Sequence, residues 1–363
     1  MKVCIITCHD VYNTGASLQA FALEKYLITI GHDAEIIDYK PQYLSSQYSL
    51  TRVNNPRYDR PIIKTLYILA KLPERLKRRR SRKKAEFDRF KLKYLKCTNK
   101  TYKSYEELSN DPPLCDELIA GSDQIWNPLF KNGKDPAFFL QFGSDKVKRI
   151  SYAASFAVDR LSDSDTVRMA EWLKAFNHIS VREQSGIRLL NQLGFDGEVV
   201  CDPVFLIEKE EWLRIAGVQQ ENKHVFVYDF DNSAIIKELI KTMDEEIVSY
   251  FPMDEANYVD ECGPIEFLRN IATSSLIISN SFHATAFALI FHIPFYVIER
   301  KENINTRMKD LLDYLSMKNR IIRTATDIKK TTPIDWEEVD RSLNTLIERS
   351  KNYLNNSLKE NKG

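Results

Sequence analysis

The chain lacks an apolar run long enough to cross a bilayer, paired cysteines and an excess of either charge, and each absence removes a class of protein. A membrane-spanning helix needs about 18 or more consecutive apolar residues, and no such run occurs in the 363 positions. The six cysteines, Cys4, Cys8, Cys97, Cys115, Cys201 and Cys262, are scattered. They have neither zinc-site spacing nor the density of a disulfide framework, and Cys4 and Cys8 fit alternate positions of one strand. Lys plus Arg number 52 and Asp plus Glu 51, a formal charge of +1 that argues against a nucleic-acid binder. No G-x-G-x-x-G fingerprint appears, so a dinucleotide cofactor is not expected. Residues 1–10 turn polar too early for a signal peptide and read as a first buried strand. The expected setting is reducing and cytoplasmic, with peripheral contact at the inner face of an anionic membrane as the one further option.

What is present is the composition of a globular protein, 43% hydrophobic and 28% charged, in a chain too long for one ordinary core. A strand over residues 2–7, a turn at Gly15, a helix from about 17 to 30 and a strand over 34–39 make a βαβ opening. Residues 41–105 interrupt that rhythm and read as a helical insertion, with helical periodicity from about 61 to 95. Strand-like segments at 117–120, 149–153, 179–181 and 198–200 resume the sheet, with helices near 163–175 and 183–193 between them. The alternation restarts at 225–228 and runs through strands at 247–250, 276–279 and 295–298, with helices near 233–243, 264–273 and 284–291. A last amphipathic helix covers about 336–358, and its polar end, to residue 363, is expected to fray. The expected fold is α/β: two doubly wound, Rossmann-like domains facing a cleft, over residues 1–205 and 206–335, with 336–363 as a C-terminal helix and tail.

Several segments place reactive side chains where strands meet helices, the position at which parallel sheets build sites. In residues 279–287, His283 falls on the turn after a buried strand, beside Asn280 and Ser281 and near the positive end of a helix dipole. An anion can bind there next to an imidazole able to move a proton. The alternative is a core histidine satisfied by a backbone carbonyl. Asn13, Thr14 and Gly15 open the first helix and can meet a ligand through backbone N–H groups and side chains, or can form a plain capped turn. Ser122, Asp123, Gln124, Trp126 and Asn127 mix an aromatic face with fixed polar groups in the manner of a sugar site; the alternative is a loop pinned by a buried Trp. Arg182 comes straight off a strand, where its fork suits a carboxylate or phosphate, unless Glu183 or Asp202 pairs with it. Arg307 opens a helix and is a second anion ligand or a surface ion pair. Finally, residues 75–84 carry eight positive charges and no negative one, just after Ile62, Ile63, Leu66, Ile68, Leu69 and Leu72. That reads as a solvated helix face or as an amphipathic helix lying on an anionic membrane.

Together these pieces resemble the polysaccharide pyruvyl transferase family. The likeness is carried by Tyr12-Asn13-Thr14-Gly15 with Leu18-Gln19-Ala20, by the run from Gly121 to Asn127, by Ser180-Val181-Arg182-Glu183 and Asp202-Pro203-Val204. It continues through the run from Gly263 to Leu268, Asn280 to Thr285, and Asn305-Thr306-Arg307. The resemblance implies a fold similar to two-domain GT-B glycosyltransferases. It also implies transfer of an enolpyruvyl unit from phosphoenolpyruvate to a sugar or lipid-linked oligosaccharide acceptor, with no metal or cofactor. His283 and Arg182 are then the catalytic pair, the first domain is the acceptor side and the second the donor side. One departure is visible: well-described members carry Arg-Leu-His where this chain has Ser281-Phe282-His283, so an arginine is absent, and Phe282 is taken as its place. A nucleotide-sugar glycosyltransferase in the same cleft and a non-catalytic carbohydrate-binding or assembly protein are the alternatives.

Overall fold

Short Val-, Ile- and Leu-rich runs without polar interruption become strands covered on both faces, as parallel sheets require. In the structure, a computed structural model, residues 1–45, 47–51, 53, 60–218, 224–253, 256–259, 262–302 and 304–359 are described. Seven strands build the first sheet: β1 (Lys2–Ile6), β2 (Asp33–Tyr39), β3 (Cys97–Tyr102), β4 (Glu117–Asp123), β5 (Lys148–Ala154), β6 (Ser180–Val181) and β7 (Glu198–Val199). Their order is β3-β2-β1-β4-β5-β6-β7. The second sheet holds β8 (Val225–Tyr228), β9 (Ile247–Ser249), β10 (Asn257–Tyr258), β11 (Leu276–Ser279) and β12 (Phe295–Val297), in the order β10-β9-β8-β11-β12. The pairings are parallel throughout. In each sheet the order reverses once, between β1 and β4 and between β8 and β11. Parallel sheets hold ligands beyond the carboxyl ends of the strands at such a reversal.

The helices that follow β1 and β11, Thr14–Thr29 and Phe282–Phe291, are buried along nearly their whole length. They bring the two halves into one apolar cluster, in which Phe21 meets Trp212 and Trp212 meets Phe287 edge to face, at 5.5 and 5.0 Å between ring centres. The last helix, Trp336–Ser357, returns to the first sheet. There Ser350 Oγ accepts a hydrogen bond from the Cys201 N–H at 2.8 Å, and the Tyr353 hydroxyl donates to the Ser151 carbonyl at 2.8 Å. Two facing parallel sheets with a cleft between them form the GT-B-like α/β arrangement expected from the sequence. Among the described residues no helix is long and apolar enough to cross a membrane.

The expected helical insertion needs correction at its end. Helices Pro61–Arg79 and Arg82–Tyr94 lie there, but Cys97–Tyr102 pairs with β2 as the edge strand of the sheet. An edge strand keeps one face and one side in water, so its polar sequence carries no buried-strand pattern. The first helix starts at Thr14 rather than 17, because the Asn13 side chain caps it by accepting from the Ala16 N–H at 3.1 Å. A helix at Lys209–Ala216 occupies the link between sheets, and the two-residue β10 also went unforeseen. Residues 360–363, expected to fray, lie outside the described residues.

Glu24 sits in the buried first helix, where its Oε1 accepts from the Lys96 N–H at 2.9 Å and Oε2 has no hydrogen-bond partner among the described residues. Burial pushes this carboxyl up to about 8 from the usual 4.5. The folded chain therefore keeps a proton that the unfolded chain releases. The resulting stability is complete below pH 4.5 and is lost, at roughly 1.4 kcal/mol per pH unit, as pH rises through about 8. Glu24→Gln cannot ionise and should gain steadily on the wild type from about pH 5 to about pH 8 in urea titrations. A difference between the two proteins that stays constant with pH would show that Glu24 is already ionised when folded.

Candidate active site

Both sheet reversals open onto one cleft. The loop after β1 supplies Asn13 and Thr14, the end of β4 supplies Asp123 and Gln124, the end of β8 supplies Tyr228 and Phe230, and the turn after β11 supplies Asn280 to His283. With Arg300 and Arg307 they line a cavity of about 120 Å³. The Thr14 and Tyr228 hydroxyls share a hydrogen bond of 3.0 Å that crosses the cleft. Gly15 is required by proximity: a Cβ there would lie 2.0 Å from His283 Nδ1. The N-termini of the two buried helices thus meet at this point, both presenting the positive ends of their dipoles. Asn280 holds the wall by donating to Asp229 Oδ1 at 2.6 Å and accepting from the Phe230 N–H at 3.0 Å. Ser281 is the cap of the second helix, its hydroxyl accepting from the Ala284 N–H at 3.4 Å.

Behind this wall lies a buried charge network. Asp123 Oδ1 accepts from Arg182 at 3.3 Å and from Arg307 at 3.2 Å, so one carboxylate of the first half holds guanidiniums from both halves. Arg182 also pairs with Asp202. Asp202 Oδ2 lies 3.4 Å from His283 Nε2 as well, a long contact that leaves Nε2 without a formed hydrogen bond among the described residues. Burial opposes ionisation of both carboxyls, yet Arg182 leads the neighbouring charges that hold them low, Asp123 below its usual range and Asp202 at about 2. Burial, with repulsion from Arg182, brings Arg307 down to about 10, still charged at neutral pH. The two guanidiniums stack on the Phe282 ring, 4.9 and 5.5 Å from its centre. Arg182 Nε and Arg307 Nε are buried and have no hydrogen-bond acceptor among the described residues.

Some of the expected residues meet at the cavity and others lie away from it. His283, Asn13, Thr14, Asp123, Gln124, Asn280, Ser281 and Arg307 line the cavity, and Gly15 packs against His283. Trp126 does not: it is fully buried, stacked on Phe139 at 5.4 Å, with its indole N–H donating to the Phe138 carbonyl. The loop is pinned by a buried Trp, and no sugar face is offered there. Asn127 is buried too, donating to Gln124 Oε1 and accepting from the Leu129 N–H, so it shapes the loop. Ser122 lies within β4 with no exposed surface. Arg182 is absent from the cavity wall and reaches the site through Asp123, Asp202 and Phe282. Read in register, the family arginine falls at Ser281, the helix cap, rather than at Phe282.

Four groups went unnoticed as site residues. Asp202 was legible as an Asp-Pro strand end, and Arg300 as a cation just past β12. Tyr228 read only as the end of a buried strand, and Phe230 fell just beyond it. A second cavity of about 290 Å³ shares Asn13, Thr14, Tyr228 and Phe230 with the first and adds Tyr12, Tyr250, Phe251, Tyr258 and Lys83. Elsewhere His9, Asp38 and Cys97 bring ligand-type atoms within 4.8 Å of one another. Lys91 and Lys40 already neutralise Asp38 there, at 2.9 and 3.1 Å, which leaves a cation nothing to balance.

Fold and site define a GT-B-like two-sheet protein with arginines and a histidine at its cleft. The profile named polysaccharide pyruvyl transferase matches residues 13–302, and the chain belongs to that family, whose members are transferases acting on glycans. No curated protein matches the chain. Among solved structures it is similar to UDP-GlcNAc 2-epimerase from Methanocaldococcus jannaschii in complex with UDP-GlcNAc and UDP. Identity is 13%, 96% of this chain and 93% of that one are covered, and the TM-score is 0.49. The Neisseria meningitidis UDP-GlcNAc 2-epimerase bound to UDP-GlcNAc is 11% identical over 99% and 95% of the two chains, with a TM-score of 0.46. A UDP-glucosyltransferase from Polygonum tinctorium is 10% identical over 99% and 95%, with a TM-score of 0.44. The fold itself is defined by the strand orders above, independently of these likenesses.

Because Asp202 is ionised in the fold and compensates Arg182, Asp202→Asn should destabilise the protein by about 3 kcal/mol at neutral pH. A depressed acid stabilises above its unfolded value of 3.8 and loses that contribution as pH falls through about 2. The gap between wild type and variant, measured by urea denaturation, should be flat above about pH 4 and narrow below it. A gap that does not narrow would mean that Asp202 is not the ionised partner.

Proposed function

We propose that the protein transfers the enolpyruvyl unit of phosphoenolpyruvate to a sugar of a surface polysaccharide or its lipid-linked precursor, forming a pyruvate ketal. One observation carries this reading: Arg307 and His283, both buried side chains, converge on a small cavity, backed by Arg182, with guanidinium Nε groups still lacking acceptors among the described residues. Buried donors of that kind suit an anion that brings its own oxygens. Size favours the same donor. At about 120 Å³ the cavity falls below the roughly 300 Å³ at which sites for drug-sized ligands begin, and a nucleotide sugar belongs to that larger class. The adjoining aromatic cavity, with Tyr and Phe faces for sugar C–H groups, suits the acceptor, and replaces Trp126 in that role.

In this reading a proton is delivered to the methylene carbon of phosphoenolpyruvate, making C2 electrophilic. A sugar hydroxyl forms a bond to C2, and the C2–O bond to phosphate then breaks, the electron pair leaving with inorganic phosphate. A second hydroxyl closes the ketal. One hydroxyl proton balances the proton placed on carbon, and the other leaves with phosphate. His283 moves protons, with Asp202 orienting its ring. Arg307, held by Asp123 and reinforced by Arg182, takes the carboxylate or phosphate, and the facing helix N-termini add positive potential.

Acceptor-dependent phosphate release from phosphoenolpyruvate, measured over a panel of galactosides and N-acetylmannosamine conjugates, tests the reaction. His283→Ala should lower turnover by about 10² to 10⁴ with the fold retained; a purely structural histidine would instead lower the melting temperature and leave the folded fraction active. Arg307→Ala should raise the phosphoenolpyruvate KM by roughly 10-fold or more, and by a larger factor than it lowers kcat. Tight binding of a UDP- or GDP-sugar with no response to phosphoenolpyruvate would overturn the proposal in favour of a glycosyltransferase.

A further inference from the structure

The helix Pro61–Arg79 has nothing fully buried along its length. Its neighbours cover only part of it: Ile68, Leu72 and Leu76 are half-buried, on the side that meets the protein. Another stripe faces water. Ile62, Leu66 and Leu69 are 77, 62 and 58% exposed, and they recur at i, i+4 and i+7, with exposed Pro73 continuing the row at i+11. Among the described residues nothing covers these apolar side chains, and large aliphatic groups aligned on one solvent face mark a surface that is covered in use.

The charge beside the stripe says what covers it. Lys77, Arg78, Arg79 and Arg80 follow directly and are all exposed. The one acid of the helix, Glu74, is paired with Lys71 at 2.9 Å. The next helix opens with Arg82, Lys83 and Lys84, so eight cations fall between residues 75 and 84 with no acid among them. Arg82 and Lys84 pair with Glu86 and Asp88 of their own helix, which leaves Lys77 to Arg80 as the exposed basic face. A second copy docked through this face would set two such runs side by side, and like charges oppose that. An anionic lipid surface offers an apolar layer at the depth of the stripe and negative head groups beside it.

The geometry points to helix Pro61–Arg79 as a membrane-docking element that lies in the interfacial layer of an anionic bilayer, with Ile62, Leu66 and Leu69 inserted and the basic run on the head groups. Lys83, at the end of that run, lines the aromatic cavity together with Tyr12, Phe251 and Tyr258. Docking therefore sets the mouth of that cavity beside the lipid surface. The inference stands apart from the reaction proposed above, since its readout is binding.

The test is co-sedimentation of the full chain with vesicles of phosphatidylcholine alone and of phosphatidylcholine with phosphatidylglycerol, at low and high salt. The chain should bind the phosphatidylglycerol vesicles, ignore the neutral ones and come off as salt rises. The double variant Leu66→Glu, Leu69→Glu should lose about 10-fold or more in partitioning while keeping the wild-type melting temperature, because both positions are exposed. Arg78→Ser with Arg79→Ser should weaken binding and flatten its salt dependence. Failure to bind either vesicle type at low salt, or binding unchanged in the Leu66/Leu69 variant, overturns the proposal. So does a dimer in lipid-free sedimentation velocity that the same variant dissociates, which would make the stripe an interface between copies.

Discussion

The site depends on one carboxylate, Asp123, which lies at the end of β4 and holds Arg182 from the first half and Arg307 from the second. Burying two guanidiniums side by side costs several kcal/mol per ion unless each is compensated. Asp123 and Asp202 compensate them, and the Phe282 ring gives both a cation–π surface in a buried setting. The backbone is unusual at this point, with Asp123 at φ 70°, in the left-handed region. An outlier of this kind persists only where the surroundings over-determine it. Here two cations on one carboxylate do so, and the same contacts bind the halves together across the cleft.

The second constraint is proximity. The helices after β1 and β11 start within contact of each other, and Gly15 permits this by having no Cβ to strike His283. Two positive helix ends, the Arg307 guanidinium and an imidazole are thereby focused on one cavity, with Arg182 behind it. The guanidiniums are balanced by Asp123 and Asp202, so the site is held together by its own ion pairs. The halves stay together because the same helices bury their apolar sides in a common cluster with Trp212 and Phe267. Packing supplies the cohesion between the halves, and the charges are what the proposed anionic donor would meet.

Beyond the cleft, polarity is arranged by distance from the site. Phe and Tyr at and just beyond the ends of β8 and β9 extend the charged cavity into an aromatic one, and the segment before and including Lys83 turns basic and then amphipathic. The donor, acceptor sugar and lipid surface proposed above would thus meet complementary chemistry in succession.

How much of this was legible follows from the range of each signal. Local periodicity and turn chemistry determined the strands, the two sheets and the strand-to-helix junctions, because buried parallel strands need apolar runs and helices need caps. They also determined that His283, Asn13 and Asp123 stand at carboxyl ends of strands. The polar edge strand Cys97–Tyr102 left no such signal, and Trp126 misled, since aromatic and polar neighbours in one loop look alike whether the ring faces a ligand or the core. Tertiary structure alone decided the pairings between residues far apart in the chain: Arg182 with Asp202, Arg307 with Asp123, Gly15 with His283 and Thr14 with Tyr228. Those pairs share no spacing that a linear pattern can carry. Arg182 with Asp202 forms between neighbouring strand ends of the first sheet, and the other three form only when the two sheet reversals are brought face to face by the packing of two buried helices.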